Sequence, residues 1–292
     1  MNTPASFKDA SGAQSLAVAV VDCQPFDTAL AQRTGYGGFT ETFARLFAKA
    51  SPVPVQVRRY NAQALEFPDL ACDGVDAVLV TGSFSSAYAS DAWIARLKEN
   101  IRRVCGRVPL IGICFGHQVI AEALGGRAGA HADGPEVAYA EFAVEDGARQ
   151  RLTALCGHNA PVLPDAPRLI YFHFDEVKQL LPGAVNLGGN AHSRYEAYFM
   201  PDDRVLCWQG HPEFGLDLPL MRALLQSSRD RGRLSAEKYA AAVASLDRPT
   251  DSARVASLLV QFILAQRSSA QPNGTERQNG GVHAAHAVAS ST

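Results

Sequence analysis

Short apolar runs alternate with amphipathic helical segments through the first part of this 292-residue chain. The runs are rich in Val, Ile, Leu and Ala, whereas the segments between them show the apolar spacing of a helix. The predicted strands are residues 16–21, 53–57, 77–81 and 110–113, and the predicted helices are residues 40–48 and 92–104. Strands that alternate with helices join in parallel. We therefore predict an α/β fold with a mainly parallel central sheet flanked by helices.

The later part of the chain has a different pattern, in which β segments follow one another through turns. These segments are residues 137–144, 168–174, 184–188, 197–200 and 204–209, and helices are predicted at 218–231 and 254–267. This order predicts a smaller antiparallel β portion of the same domain, which we place at residues 15–267. Residues 1–14 are expected to form a flexible N-terminus, and the Ser-, Gly- and Asn-rich residues 268–292 a disordered C-terminal tail.

The composition is that of an ordinary globular protein, with 47% hydrophobic residues, 19% charged residues and a net charge of −2. This balance favours neither nucleic acid nor a membrane as a partner. The apolar runs are too short to span a bilayer, and no signal-peptide core is evident. Six cysteines are scattered without a CxxC pair, which favours reduced thiols and a cytoplasmic protein. We expect the cysteines other than Cys114 to be packing residues.

Cys114 lies between two glycines at the end of an apolar run, in the segment GICFG at residues 112–116. The G-x-C-x-G spacing is that of a nucleophile elbow, with Cys where hydrolases often have Ser. The sharp turn from strand to helix presents the central side chain, and the positive end of the helix stabilises a thiolate. We predict that Cys114 is a nucleophile and that the backbone N–H of Phe115 stabilises an oxyanion.

A thiolate nucleophile needs a base, and the base needs a group that orients it. The segment QGHPE at residues 209–213 follows a predicted strand and contains both. In extended chain, residues i and i+2 point to the same side, so Glu213 can bond one ring nitrogen of His211 while the other faces Cys114. The sequence therefore predicts a triad of Cys114, His211 and Glu213.

These two motifs, "GICFGHQ" and "QGHPEF", resemble those of class I glutamine amidotransferases, which use a Cys-His-Glu triad. The resemblance extends over most of residues 15–265 and implies a flavodoxin-like fold. The segments "GSFSSAYASDAWI", "GICFGHQVIAEALGG" and "GPEV" are most similar to a stand-alone branch that includes plant gamma-glutamyl peptidases and uncharacterised fungal relatives.

The resemblance also implies roles for residues outside the triad. In the family, the loop after the third strand supplies a second oxyanion donor, which corresponds to Gly82-Ser83 here. The Gln four residues after the nucleophile holds the substrate, which corresponds to Gln118. A His-x-Asp segment contacts the substrate near its middle residue, and it corresponds to His173-Phe174-Asp175.

The leading interpretation is a thiol hydrolase that cleaves a gamma-glutamyl amide, either glutamine or a gamma-glutamyl peptide, through a thioester. One alternative is a glutaminase subunit that delivers ammonia to a separate synthase subunit. Another is a catalytically silent binding or regulatory module with the same fold, because a fold alone does not specify a function.

No cofactor or metal is predicted. The glycines at 35–38 are not a dinucleotide-binding motif, because they do not follow a strand. His173 and Asp175 have the spacing of a metal-ligand pair, but the sequence shows no third ligand for zinc.

Overall fold

The computed structural model describes residues 15–24 and 27–268. The segments predicted to be a flexible N-terminus and a disordered tail lie outside the described residues, apart from Ser268 at the end of the last helix. None of the helices in the described part of the chain is long and apolar enough to cross a membrane.

An eight-stranded sheet forms the centre of the fold. Its strands, numbered with the other strands of the chain, are β1 (Leu16–Asp22), β2 (Val55–Asn61), β3 (Ala77–Val80), β4 (Leu110–Ile113), β7 (Ala143–Val144), β10 (Val185–Gly189), β11 (Ala197–Met200) and β12 (Val205–Trp208). The order across the sheet is β2-β1-β3-β4-β12-β11-β10-β7. The first five strands in this order, β2 to β12, pair in parallel with one another. The other three, β11, β10 and β7, pair antiparallel with their neighbours. The predicted α/β fold with a mainly parallel sheet is confirmed.

Two small antiparallel sheets lie beyond the central one. They pair β5 (Arg127–Ala130) with β9 (Asp175–Gln179), and β6 (Glu136–Glu141) with β8 (Arg168–His173). Together with β7, β10 and β11 they form the predicted antiparallel portion.

Eight α-helices are present in the described residues. They are α1 (Thr28–Thr34), α2 (Phe39–Ala50), α3 (Ala92–Val104), α4 (Phe115–Ala123), α5 (Asp146–Cys156), α6 (Leu218–Asp230), α7 (Ala236–Ser245) and α8 (Ser252–Ser268). Helices α2, α5 and α8 pack on one face of the sheet, and α3 and α4 pack on the other. Because helices cover both faces, every residue of β1 is buried. Helix α6 packs with β6 and β8 in a third apolar cluster.

The structure differs from the sequence predictions at several elements. The predicted strand 137–144 is two strands, because β6 pairs with β8 whereas β7 pairs with β10. The predicted strand 168–174 ends at His173, and β9 begins two residues later, so Phe174 lies at a break between two pairings. The sequence analysis did not predict the elements α1, α5, α7, β5 and β9.

Candidate active site

Cys114 lies at the turn between β4 and α4, in a backbone conformation that few side chains adopt. Its φ is 54° and its ψ is −107°. The turn brings backbone segments so close that a Cβ atom at Gly116 would lie 2.1 Å from the carbonyl oxygen of Val80. A Cβ atom at Gly112 would lie 2.6 Å from the carbonyl oxygen of Gly116. The two glycines are therefore required by close packing, and the strained elbow holds the thiol at the carboxyl edge of the parallel strands.

His211 follows β12, the neighbour of β4, and its ring is held from two sides. Its backbone N–H donates to the carbonyl of Ile170 at 2.8 Å, and its ring stacks on Phe214 with centroids 4.1 Å apart. His211 Nδ1 lies 2.7 Å from Glu213 Oε1, and both side chains are almost fully buried. His211 Nε2 is buried and makes no hydrogen bond with any described residue. This ring nitrogen is thus free to exchange a proton with a reacting group.

The electrostatics of His211 favour its protonated form. Burial opposes the imidazolium, but the negative charge of Glu213 and that of a thiolate at Cys114 outweigh it and raise the pKa of His211 to about 10. An imidazolium next to the sulfur stabilises a thiolate. The arrangement can therefore hold a thiolate–imidazolium pair with Glu213 as the orienting carboxylate.

The predicted pairing of His211 with Glu213 forms, but not in extended chain as expected. The chain turns at Pro212, and Glu213 has helical backbone angles (φ −70°, ψ −30°). The short turn, rather than the alternation of a strand, brings the carboxylate back to the ring.

The predicted oxyanion donors surround the same sulfur. Phe115 is the first residue of α4, where no earlier carbonyl of the helix accepts its N–H. Gly82 follows β3, and a Cβ atom there would lie 3.2 Å from His211 Cε1 and 3.7 Å from Cys114 Cβ. Ser83 lines a cavity together with Cys114. The Gly82-Ser83 loop is held by Gln24, whose Oε1 accepts the Phe84 N–H at 2.9 Å.

A cavity of about 400 Å³ opens over the thiol. Gln118 lies in its wall, and its Nε2 donates to the backbone oxygen of Asp175 at 2.7 Å and to Gln209 Oε1 at 3.0 Å. The Asp175 side chain accepts a hydrogen bond from Tyr88 at 3.1 Å. Phe174 also lines the cavity, and Arg233 lies over its ring at 5.8 Å. The structure thus brings Gln118, Phe174 and Asp175 to one cavity with Cys114.

His173 borders the cavity, but both nitrogens of its buried ring are engaged. Nδ1 lies 2.9 Å from the backbone oxygen of Asp175, and Nε2 lies 2.8 Å from Glu136 Oε2. Its ring therefore holds the β8–β9 junction in place and offers no free polar atom to a ligand.

A third buried carboxyl group, Glu196, lies next to this pair. Donor atoms of Glu136, His173 and Glu196 lie within 4.8 Å of one another, a spacing that suits a metal ion. Burial and the negative charge of Glu136 raise the pKa of Glu196 well above its usual range, which favours its neutral form. Burial also opposes the ionisation of Glu136, but the bond to His173 prevails and lowers the Glu136 pKa. The cluster therefore consists of a hydrogen-bonded Glu136–His173 pair and an adjacent carboxyl group whose pKa is raised. The Asp175 side chain is not part of it.

Sequence reasoning missed several residues of this region, namely Gln24, Glu136, Glu196, Gln209 and Arg233. Glu136 belongs to the quoted segment "GPEV" and Gln209 is the first residue of "QGHPEF", so these two segments were the available signals for them. Gln24, Glu196 and Arg233 reach the site from separate elements, and no local spacing marks them.

The remaining cysteines are free thiols with a different environment. Cys23, Cys156 and Cys207 are buried as predicted, whereas the expectation that Cys72 packs in the core is wrong, because Cys72 is exposed. Burial raises the pKa of Cys156 and Cys207 to about 12. The Asp69 carboxylate beside Cys72 raises its pKa as well.

Comparison with known proteins agrees with these features. Residues 35–220 match the family described as Glutamine amidotransferase class-I. Over 195 residues the chain is 29% identical to gamma-glutamyl peptidase 4 of Arabidopsis thaliana, and the match covers 66% of this chain and 74% of the relative. It is 25% identical to the glutamine amidotransferase-like protein chyE of Penicillium rubens, over 76% of this chain and 88% of the relative. A shorter match, 32% identical, covers 39% of this chain and 20% of a glutamine-hydrolyzing GMP synthase of Bordetella avium.

Solved structures share the fold. A glutamine amidotransferase of Thermotoga maritima aligns with a TM-score of 0.61 at 13% identity, over 86% of this chain and 97% of that protein. A glutamine amido transferase of Methylobacillus flagellatus aligns with a TM-score of 0.58 at 19% identity, over 93% and 99% of the two chains.

Proposed function

The chain belongs to the class I glutamine amidotransferase family, and from this premise we propose that it hydrolyses gamma-glutamyl amides with Cys114 as the nucleophile. The observation that carries the proposal is the state of His211. One of its ring nitrogens is bound to Glu213 at 2.7 Å, while the other is buried without a partner beside the thiol. A histidine held in this way is a general acid and base at the nucleophile.

The proposed reaction begins with attack of the Cys114 sulfur on the γ-carbonyl carbon of a glutamyl group. The carbonyl oxygen becomes an oxyanion, which the N–H groups of Phe115 and the Gly82-Ser83 loop stabilise. His211 Nε2 donates its proton to the leaving nitrogen as the carbon–nitrogen bond breaks. Glu213 keeps the ring oriented and stabilises its positive charge.

The second half of the reaction removes the acyl group. Water attacks the thioester carbon, and His211, now neutral, takes the proton from the water. The carbon–sulfur bond breaks, the γ-carboxylic acid of glutamate leaves and loses its proton to the solvent, and the thiolate–imidazolium pair is restored. Gln118 and the backbone at Asp175 lie where they can hold the glutamyl group during both steps.

Among gamma-glutamyl amides, the proposal favours a peptide over free glutamine as the substrate. Several relatives that match this chain over most of their own length are named gamma-glutamyl peptidases. Phe174 adds a large apolar surface to the cavity over Cys114, and Ser83 lines both this cavity and the adjoining space at His211. We expect the Gly82-Ser83 loop to shape the side next to His211 for a leaving group larger than ammonia.

A second candidate function is a glutaminase subunit that supplies ammonia to a separate synthase. It is favoured by the match to one part of a glutamine-hydrolyzing GMP synthase. In this case the protein alone would turn over slowly, and a synthase would accelerate the hydrolysis of glutamine.

The test is to incubate the purified protein with glutathione and with glutamine and to identify the products by mass. We expect kcat/KM for glutathione to exceed that for glutamine by about tenfold or more, or about 1.4 kcal/mol of transition-state binding. Cys114→Ala is the matched control, and its activity should fall by at least about 10³-fold with the fold unchanged.

Three other results would each point elsewhere. Unchanged turnover by Cys114→Ala would remove the cysteine from the mechanism. Activity on glutamine that appears only with a synthase would favour the second candidate. No turnover of any gamma-glutamyl compound would favour a catalytically silent module.

A further inference from the structure

Two further spaces share wall residues with the cavity over Cys114. The smaller one, of about 30 Å³, is lined by Cys114, His211 and Leu224, and we call it the connection because it shares Phe39 and Leu224 with a further pocket of about 160 Å³. Phe84 lines all three spaces, and Leu224 lines the last two. The nucleophile thus lies between two spaces that a single extended molecule can occupy.

The positions of the catalytic groups give each space a role. Gln118 and Asp175 line the first cavity but not the other two, and in the proposed function they hold the glutamyl group. His211 lines the connection and not the first cavity. Because the general acid must face the leaving nitrogen, the leaving group lies on the His211 side and extends toward the second pocket.

Three arginines line the second pocket, which we call the arginine pocket: Arg33, Arg231 and Arg233. Arg33 is in the last turn of α1, and the other two lie on either side of Gly232, where φ is +70° and the chain turns after α6. None of the three forms an ion pair with another residue of the described part of the chain.

The remaining wall of the arginine pocket is mainly apolar. Leu30, Tyr36 and Leu220 contribute to it, and one acidic residue, Asp27, is present. The Asp27 carboxylate already accepts the N–H of Leu30 at 2.8 Å as the cap of α1. With three arginines and one carboxylate, the lining of the pocket has an excess of positive charge.

We infer that the arginine pocket binds the terminal carboxylate of a gamma-glutamyl peptide, so that the enzyme selects substrates whose leaving group is an anionic amino acid or dipeptide. This inference rests on the proposed function. Guanidinium groups bind carboxylates in paired hydrogen bonds, and unpaired arginines at the end of an apolar pocket suit this ligand. Ammonia, the leaving group of glutamine, would not reach the pocket.

The experiment removes charge from the pocket and from the substrate independently. The substrates are glutathione, its glycine ethyl ester and glutamine, and the enzymes are the wild type and Arg33→Gln/Arg231→Gln. Arg229→Gln is the matched control, because Arg229 is on α6 but does not line the pocket. We expect the wild type to prefer glutathione over the ester by about fivefold or more in kcat/KM, and the double variant to lose that preference. Turnover of glutamine should be unchanged in all three proteins.

Binding of glutathione and its ester to Cys114→Ala, with and without the two arginine substitutions, separates the inference from the proposed function. Carboxylate-dependent binding that needs the arginines, without hydrolysis in the wild type, refutes the hydrolase and supports the pocket. Hydrolysis of acid and ester at equal rates, or an equal loss on glutathione and glutamine in the double variant, overturns the pocket and leaves the hydrolase. Absence of both binding and hydrolysis overturns both.

Discussion

Two buried histidine–carboxylate pairs border the cavity at Cys114, and they differ in the second ring nitrogen. His211 is bound to Glu213 at 2.7 Å and leaves Nε2 without a partner. His173 is bound to Glu136 at 2.8 Å, but its other nitrogen is bound to a backbone oxygen. In the proposed mechanism, a histidine–carboxylate pair acts as a general base only where its second ring nitrogen is free and next to the reacting group.

The two pairs also differ in what lies next to them. Burial opposes the positive charge of His211, but Glu213 and the adjacent Cys114 outweigh it and raise the pKa of His211 to about 10. The Glu136–His173 pair is adjacent to Glu196, whose pKa is raised well above its usual range by burial and by the negative charge of Glu136. In the proposed reaction the first pair transfers protons, whereas the second pair holds the β8–β9 junction and the backbone that contacts Gln118.

The comparison is tested most severely by the same substitution in both histidines. We expect His211→Ala to lower kcat by about 10⁴-fold or more, because it removes both the base and the acid. His173→Ala should act mainly on KM, by about ten- to hundredfold, through displacement of the backbone at Asp175. Steady-state kinetics and circular dichroism of both variants provide the check. Equal losses in kcat would show that the two pairs do not have different roles.

Replacing the carboxylate of each pair by an amide should again affect kcat more in the first pair than in the second, but by less than the histidine substitutions. Glu213→Gln removes the charge that orients and stabilises the imidazolium, and kcat should fall by about 10²- to 10³-fold. Glu136→Gln, the matched change in the other pair, should lower kcat by less than about tenfold. If the two variants lose the same amount, Glu213 has no special role in the reaction.

Alkylation with iodoacetamide compares the thiol beside His211 with the other thiols. We expect Cys114 to react at pH 6.5 at least about tenfold faster than the exposed Cys72, because the imidazolium favours a thiolate whereas Asp69 raises the pKa of Cys72. The sites and rates are read by mass spectrometry of peptides. In His211→Ala the advantage should disappear, and its persistence would separate the reactivity from the histidine.

The pH dependence of the free energy of unfolding tests the protonation of Glu196, which lies next to the Glu136–His173 pair. Because the folded pKa of Glu196 is raised, the folded protein keeps a proton that the unfolded chain loses above about pH 4.3. The stability of the wild type should therefore fall with rising pH, by at most about 1.4 kcal/mol per pH unit, until the folded pKa is reached. Glu196→Gln cannot ionise at this position, so its free energy of unfolding should increase relative to that of the wild type as the pH rises from 5 to 8. Urea unfolding at several pH values measures this difference. If the free energies of unfolding of the two proteins change with pH in parallel, Glu196 is ionised in the folded protein.

Sequence alone was sufficient for the features that are encoded locally. The apolar runs and helical spacing predict the parallel strands β1, β3 and β4 and the helix α3, because strands buried on both faces must be continuously apolar. The edge strand β2, which contains Arg58 and Arg59 and is only half-buried, begins two residues later and extends four residues further than predicted. The elbow is visible in five residues, since only glycine fits at positions 112 and 116. The spacing of His211 and Glu213 also predicts that they meet, although the reason was a turn and not a strand.

Tertiary structure decided the elements and contacts that no local pattern encodes. The strand β5, with the sequence RAGA, has little intrinsic β-propensity and exists because β9 pairs with it. Helix α5 buries only Ala148, Leu152 and Cys156, too narrow an apolar stripe to stand out in the sequence. Glu136 and Glu196 come together with His173 through long-range pairing of strands. The arginine pocket combines α1 with the turn after α6. Each of these features depends on residues far apart in the chain, which come into contact and stabilise one another only in the folded structure.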